Sequence, residues 1–160
     1  MRTNRVKMPM TMRVGILLFV LSSIALPAAG SEQMLLSAAS LGQVEQVKAL
    51  LAQGVDANAR NTAGRPALVM AAFNGNERTV KALLAAGADV NGADGVGNTA
   101  LMEAAAFGHG GAVEALIRAG ADVNLKNQAG LGALKRANLG RHAGVAKLLE
   151  EAGATEEAAE

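Results

Sequence analysis

Cysteine, tryptophan and tyrosine are absent from the 160-residue sequence, and phenylalanine occurs only three times. Without cysteine, the chain has no disulfide, no thiolate-ligated zinc, no thiol nucleophile and no lipid-modified N-terminal cysteine. Because 51% of the residues are nevertheless apolar, a hydrophobic core is feasible, and it must be built from Ala, Leu and Val. This composition favours thin, closely packed helices over a sandwich or a barrel.

The first thirty residues have the pattern of a secretory signal peptide. An uncharged apolar run covers 14–26, small residues at 27–30 follow where a signal peptidase would cut, and four basic residues precede the run: Arg2, Arg5, Lys7 and Arg13. A membrane anchor is the alternative, but this run is well short of the roughly 20 residues that span a bilayer. We therefore expect a signal peptide at 1–30, a periplasmic or secreted protein, and no membrane association after cleavage.

The charge balance changes once this leader is set aside. The chain has 15 basic and 14 acidic residues, and the leader holds four of the basic ones, which leaves 11 basic against 14 acidic and a net charge of −3. A slightly acidic chain with so few aromatic stacking residues is a poor general nucleic-acid binder. We expect no nucleic-acid partner.

Glycines recur at one fixed interval along the rest of the chain, as the residue numbers show. The recurring sets are Gly54, Gly87, Gly120 and Gly153; Gly64, Gly97 and Gly130; and Gly42, Gly75 and Gly108. A constant 33-residue period of this kind is typical of a stacked solenoid.

Each 33-residue unit contains two short helical patterns. Leu68, Ala71 and Ala72 follow i, i+3, i+4 spacing, and 80–84 repeats it with Val and Leu. Thr99 can cap the first helix of its unit, and Asp-x-Asn at 56–58, 89–91 and 122–124 predicts a turn, because these side chains bond their own backbone. Helices of about nine residues are marginal alone, so each must be held by neighbouring repeats.

These motifs resemble the ankyrin repeat family. The resemblance is carried by A-A-x-x-G-x at 71–76 and 104–109, by L-L-x-x-G-A-D-V-N at 83–91 and by L-I-x-x-G-A-D-V-N at 116–124. It implies an all-α solenoid of about four helix-turn-helix repeats joined by hairpin-like loops, as in a small exported bacterial ankyrin-repeat protein. The domain would cover 31–155, with repeats at about 31–63, 64–96, 97–129 and 130–155, and an acidic tail at 156–160.

The sequence departs from the family pattern in three places. Where the family favours Thr-Pro-Leu-His, this chain has Pro-Ala-Leu-Val at 66–69, Thr-Ala-Leu-Met at 99–102 and Gly-Ala-Leu-Lys at 132–135, so the Thr–His hydrogen bond that the resemblance implies cannot form. At the first repeat we expect Ser31 to be the N-cap. In repeat four Val145, Leu148 and Leu149 come one position early, which predicts a one-residue shift of the last helix, and Asn138 replaces an alanine of the earlier repeats.

Several motifs suggest chemistry that their context does not support. Asp89, Asn91 and Asp94 lack the spacing and the closing Glu of a calcium loop. The glycines of 92–97 follow no strand and precede no Gly-Lys-Ser/Thr, so a phosphate loop is disfavoured. His109 lies in an inter-helix turn, without the partner and enclosed pocket that acid–base catalysis needs. We expect no enzyme activity, no metal and no cofactor.

Gly110 and Gly111 replace Glu77 and Arg78 of the preceding repeat. Two adjacent glycines predict a weak helix start, and a soft spot between repeats is the functional alternative.

The family resemblance places partner binding on the concave face, at the loop tips and the exposed side of each first helix. Phe73 and Phe107 are placed there as equivalent aromatic anchors, with packing against the neighbouring repeat as the alternative. Five basic residues between Lys126 and Lys147, without an acidic one, suit either an acidic partner patch or a solvated end cap. The predicted partner-binding residues are Arg60, Thr62, Arg65, Phe73, Asn74, Val96, Asn98, Phe107, Lys126, Gln128 and Leu131.

The resulting hypothesis is a monomeric, non-enzymatic protein–protein interaction module that binds one protein partner, as a scaffold or assembly aid in the periplasm. An immunity-type inhibitor of a secreted or periplasmic enzyme is the alternative. An enzyme acting on a small molecule would require a deep pocket, which a four-repeat array seldom has.

Overall fold

The computed structural model describes residues 30–156 and contains eight α-helices within that range. The predicted leader, apart from Gly30, and the end of the acidic tail lie outside the described residues. None of the described helices is long and apolar enough to cross a membrane. The helices are α1 Ser31–Leu41, α2 Val44–Ala52, α3 Ala67–Phe73, α4 Glu77–Ala85, α5 Ala100–Ala106, α6 Gly110–Arg118, α7 Ala133–Leu139 and α8 Ala143–Glu151.

The helices form two layers, which confirms the all-α solenoid of helix-turn-helix repeats. The first helices of the repeats (α1, α3, α5, α7) contact one another in chain order, the second helices (α2, α4, α6, α8) do the same, and each first helix packs on the second helix of its own repeat. Rows of buried residues run through the array, one from each repeat, such as Leu35, Leu68, Leu101 and Leu134. Because a seven-residue helix cannot bury its own apolar side, the stack supplies the core.

A hairpin precedes each first helix from the second repeat on. Asn61 closes the first hairpin, because its Oδ1 accepts hydrogen bonds from the backbone N–H groups of Ala63 and Arg65 at 3.0 and 2.9 Å. Asp94 and Asn127 close the next two in the same way. Antiparallel bridges join residues 60 and 66, 93 and 99, and 126 and 132. The Asx side chains therefore fix the hairpin tips in one conformation.

The Asp-x-Asn motifs perform the predicted turn chemistry and also link the repeats. Within a motif, Asp56 Oδ1 accepts from the backbone N–H of Asn58 at 2.8 Å. Asn58 Oδ1 then accepts from the backbone N–H of Asp89, in the next repeat, at 2.7 Å. Asn91 and Asn124 make the equivalent bonds to Asp122 and Thr155. The motif is explained by these backbone contacts.

The inter-helix turns carry a second ladder between repeats. Gly42, Gly75 and Gly108 have φ angles of 70°, 69° and 74°, in the left-handed region that glycine tolerates best. The side chain one repeat further on packs over each glycine: a Cβ at Gly75 would lie 2.6 Å from Nδ1 of His109. His109 Nε2 is 3.0 Å from the carbonyl oxygen of Phe73, at the end of the preceding α3. Glycine is therefore required there by both dihedral angle and space.

His142 repeats this arrangement with the carbonyl oxygen of Ala106, at 3.1 Å, and Asn76 donates to the carbonyls of Ala39 and Ser40. The two histidines thus join neighbouring repeats.

Two expectations about the ends of the array are wrong. Ser31 is the first residue of α1 rather than its N-cap, and Gly30 takes the cap position. The last repeat is not shifted, because α8 begins and ends one full period after α6. Val145 aligns with Ala112, and Leu149 aligns with Leu116. The residue type therefore changes at the first of these positions, while the helix keeps its 33-residue spacing. By contrast, Thr99 caps α5 as predicted, since its hydroxyl accepts from the backbone N–H of Met102 at 3.3 Å.

The glycine pair at the start of α6 has an identifiable contact. A Cβ at Gly111 would collide with the carboxylate of Glu77, whereas a Cβ at Gly110 would meet nothing within 4 Å. Gly111 therefore leaves room for a side chain of the preceding repeat.

Candidate functional site: the inner face

The hairpins and the first helices of repeats two to four share one surface, which we call the inner face: residues 60–74, 93–107 and 126–140. Arg136 of α7 reaches the hairpin residue Asn98, and Arg65 of the first hairpin lies over the ring of Phe73 at the end of α3. These contacts place hairpins and helix ends side by side. The predicted residues Arg60, Thr62, Phe73, Asn74, Val96, Phe107, Lys126 and Gln128 are exposed, and Arg65, Asn98 and Leu131 are half-buried.

Phe73 and Phe107 pack against each other across the boundary between repeats two and three. Their ring centroids are 4.6 Å apart in an edge-to-face arrangement. The prediction that the two residues are equivalent is wrong. Phe73 is the last residue of α3 and aligns with Ala106, whereas Phe107 follows α5 and aligns with Asn74. The two rings meet across this offset and remain 36% and 47% exposed. Each phenylalanine therefore packs against the neighbouring repeat, and its role as a partner anchor stays a prediction.

Charged and polar side chains border this pair. The guanidinium carbon of Arg65 is 5.7 Å from the centroid of the Phe73 ring, within cation–π range. Arg65 also forms an ion pair with Asp94 at 3.7 Å. On the other side, the ring of His109 stacks near Phe107 with centroids 6.3 Å apart. We call Arg65, Phe73, Phe107 and His109 the aromatic cluster.

A large apolar side chain is exposed at the same end of the first helix in every repeat. Leu41, Phe73 and Leu139 are the last residues of α1, α3 and α7, and Phe107 directly follows α5. These four residues form an apolar edge that begins at the end of α1 and continues along the inner face, with the aromatic cluster in its middle.

Two of the predicted binding residues also hold the hairpins together. Arg60 Nη1 donates to the carbonyl oxygen of Gly64 at 2.8 Å and to that of Ala93, in the next hairpin, at 2.6 Å. Gln128 Nε2 donates to the carbonyl oxygen of Gly95 at 3.1 Å. Substituting either residue would disturb hairpin packing, so neither is a clean probe of binding.

Asn98 and Asn74 likewise make internal hydrogen bonds. Asn98 Oδ1 accepts from Asn127 Nδ2 and from Arg136 Nη1, both at 2.7 Å. Asn74 Nδ2 donates to the carbonyl oxygen of Met70 at 3.0 Å and contacts Ser40 Oγ at 3.4 Å.

Thr62 and Val96 are exposed at the hairpin tips, where a partner can reach them.

The sequence analysis counted Arg136 among the basic residues of repeat four but missed Glu103, with which it forms an ion pair at 3.2 Å inside the inner face. Glu103 is 3% exposed, so its carboxylate depends on Arg136 for compensation. The two residues occupy the same position in successive repeats, where the earlier repeats have Ser37 and Met70. Opposite charges one period apart were the signal that could have revealed the pair.

The charges of the array are segregated by segment. The inner face contains five basic residues (Arg60, Arg65, Lys126, Lys135, Arg136) and two acidic ones (Asp94, Glu103). Both acids are paired with basic residues of the same face. The second helices with their connectors, at 42–59, 75–92, 108–125 and 141–156, hold six basic and nine acidic residues. The inner face is thus positively charged, and the opposite layer is negatively charged.

A groove of about 500 Å³ lies at the open end of repeat four. It is lined by the hairpin residues Lys126 and Leu131, by Lys135 of α7 and by the last turn of the described chain, where Glu156 pairs with Lys135 at 3.6 Å. Within the described residues, no group of three or more His, Cys, Asp or Glu side chains is placed to hold a metal ion. Asp89 and Asp94, considered above for calcium, accept backbone N–H groups instead.

Comparison with known proteins agrees with this architecture. The family model for ankyrin repeats (3 copies) matches residues 35–127, which is more than half of the chain. No curated protein matches the sequence. Ankyrin repeats are generally protein–protein interaction modules, and the family typically provides non-enzymatic interaction scaffolds. With its paired helices, hairpins and regularly spaced ladders, the chain belongs to the ankyrin repeat family.

Proposed function

We propose that the protein is a monomeric binding module whose inner face captures one protein partner, as a scaffold or assembly aid in the periplasm or outside the cell. The observation that carries the proposal is the aromatic cluster, because it exposes two large rings in the middle of the apolar edge. Clustered aromatic and arginine side chains supply most of the binding energy in typical interfaces.

The surroundings of the cluster suit this role. The apolar edge extends it across all four repeats, and the hairpin tips add exposed polar and apolar side chains, including Thr62, Val96 and Lys126. An apolar centre with a polar rim is the usual anatomy of a protein interface. The hairpins are held by backbone hydrogen bonds, so little ordering is required on binding.

The leader pattern at 1–30 supports export. Without the leader the net charge is −3, which supports a protein partner rather than a nucleic acid. The cellular location is checked directly by fractionating cells that produce the tagged protein.

The interaction is tested by capture from the native periplasm with three forms of the tagged protein. The test variant is Phe73→Ala/Phe107→Ala, and the control is Arg78→Ala/Arg118→Ala, on α4 and α6 of the opposite layer. We expect wild type and control to retain the same partner and the test variant, folded by circular dichroism, to lose it. A folded test variant that still retains the partner would contradict the assignment.

The same experiment addresses the alternative role. If the captured partner is an enzyme, adding one equivalent of the module and measuring residual activity separates a scaffold, which leaves activity intact, from an inhibitor.

A further inference from the structure

We propose that the partner contributes an extended, acidic segment with one aromatic or large aliphatic anchor, and that this segment lies across repeats two to four of the inner face. The inference rests on the proposed function and specifies the chemistry of the partner.

The charge of the inner face selects an acidic segment. Its two acids, Asp94 and Glu103, have side chains only 5% and 4% exposed, and each is paired with an arginine. Of the other three basic residues, Lys135 pairs with Glu156 at 3.6 Å, which leaves Arg60 and Lys126 as the cations of the face that no carboxylate of the described residues neutralises. Within the described part of the chain, Lys126 forms no ion pair, and it stands exposed on the third hairpin. Complementary charge speeds association and disfavours basic partners.

The aromatic cluster selects the anchor. Phe73 and Phe107 meet edge to face, so an incoming ring or branched side chain can cover both at once. The Arg65 guanidinium has five N–H donors, and among the described residues its carboxylate partner is Asp94, at 3.7 Å. It therefore has donors left for one of the acidic residues of the segment.

The repeat spacing sets the distance between the acidic residues. Arg60 and Lys126 occupy the same hairpin position two repeats apart. With about 10 Å between packed helices, these cations lie about 20 Å apart along the array. An extended chain rises about 3.3 Å per residue, so about six residues cover that distance. The segment is therefore an acidic residue, an apolar anchor about three positions later, and a second acidic residue about three positions after that.

A protein segment is favoured over a nucleic acid by the charge of the opposite layer. Residues 30–156 contain 11 basic and 12 acidic residues, and nine of the acids lie in the second-helix segments. A polyanion with charge on every nucleotide would be repelled by this layer, whereas a short segment stays on the inner face.

The test is selection of peptides from a displayed library of random 12-residue sequences on the tagged protein. The enriched peptides should contain an aromatic or large aliphatic residue between two acidic residues. Their dissociation constants should rise at least about tenfold for Phe73→Ala/Phe107→Ala and about threefold for Lys126→Glu. The matched charge reversal Arg78→Glu, on the opposite layer, should change them less than twofold, as expected of a distant exposed site. Lys126 is exposed at a hairpin, so its variant keeps the test valid if the phenylalanine variant fails to fold.

Any one of four results would overturn the proposal. The library could enrich basic or purely polar peptides, or no peptides at all. The selected peptides could bind the Lys126→Glu variant as tightly as wild type, or a 12-nucleotide single strand could bind more tightly than any selected peptide. If the module captures a protein through the phenylalanines but selects no acidic peptide, the proposed function stands and this inference fails. If capture itself does not depend on the phenylalanines, the proposed function fails.

Discussion

The first three repeats and the fourth differ at one position of the inter-helix turn and at one position of the first helix. Gly42, Gly75 and Gly108 correspond to Arg141 in repeat four, the one non-glycine residue with a positive φ among the described residues, at 59°. In the first three repeats, a side chain of the next repeat packs on the glycine, whereas none of the described residues forms a repeat beyond Arg141. Space for a Cβ is therefore available only at the end of the array, and the sequence uses it.

Asn138 shows the same contrast. The equivalent residues Ala39, Ala72 and Ala105 are buried between first helices, whereas Asn138 is exposed and donates to Glu156 at 2.6 Å. The comparison shows that interior positions are restricted by the neighbouring repeat, and that repeat four ends the array with polar side chains.

The largest effect should come from breaking the buried ion pair between repeats three and four. Glu103→Ala leaves Arg136 without its carboxylate partner in a largely buried setting, and we expect a loss of about 3 kcal/mol in the free energy of unfolding. The exposed ion pair of Lys135 with Glu156 in repeat four provides the control. Glu156→Ala should lower the free energy of unfolding by about 0.5 kcal/mol or less. Urea unfolding of both variants measures the difference, and similar losses would contradict the distinction between interior and end.

A smaller effect is expected from a methyl group at the turns. Gly75→Ala places a Cβ against His109 at a positive φ, and we expect unfolding to become easier by about 2 kcal/mol. Arg141→Ala, at the same position of repeat four, keeps a Cβ where one already exists and should change stability by less than about 0.5 kcal/mol. Thermal unfolding followed by circular dichroism compares them, and equal melting temperatures would remove the explanation for the glycines.

The smallest effect should be a gain. Arg141→Gly relieves a left-handed conformation that costs a non-glycine residue about 1 kcal/mol, although glycine also gains freedom in the unfolded chain. We expect a net stabilisation of about 0.5 kcal/mol in urea unfolding. A loss of stability instead would indicate that the Arg141 side chain makes a stabilising contribution.

The 33-residue period was sufficient to predict the solenoid and the pairing of its helices. Glycines, Asx residues and apolar triplets each act locally or on the adjacent repeat, so their spacing reports the fold directly. The register of repeat four was misjudged because Val145 and Leu148 were aligned with apolar residues of α6. His142, one period after His109, fixes the turn and was the better marker.

The inner face was harder to predict because its contacts join residues of different repeats. The offset of Phe73 and Phe107 by one position could be read from the 33-residue period, but the contact between their rings is seen only when the two helices lie side by side. The hydrogen bonds of Arg60 to two backbone carbonyls give no signal in composition or period. The exposed tips Thr62 and Val96 were predictable, since a solvent-facing loop position needs no partner.

Hydrogen–deuterium exchange of the module with and without its captured partner shows which layer the partner covers. We expect slower exchange on binding in 60–74, 93–107 and 126–140, strongest around Phe73 and Phe107, and unchanged exchange in the second helices. Slower exchange confined to 75–92 and 108–125 would place the partner on the opposite layer and contradict the proposed function.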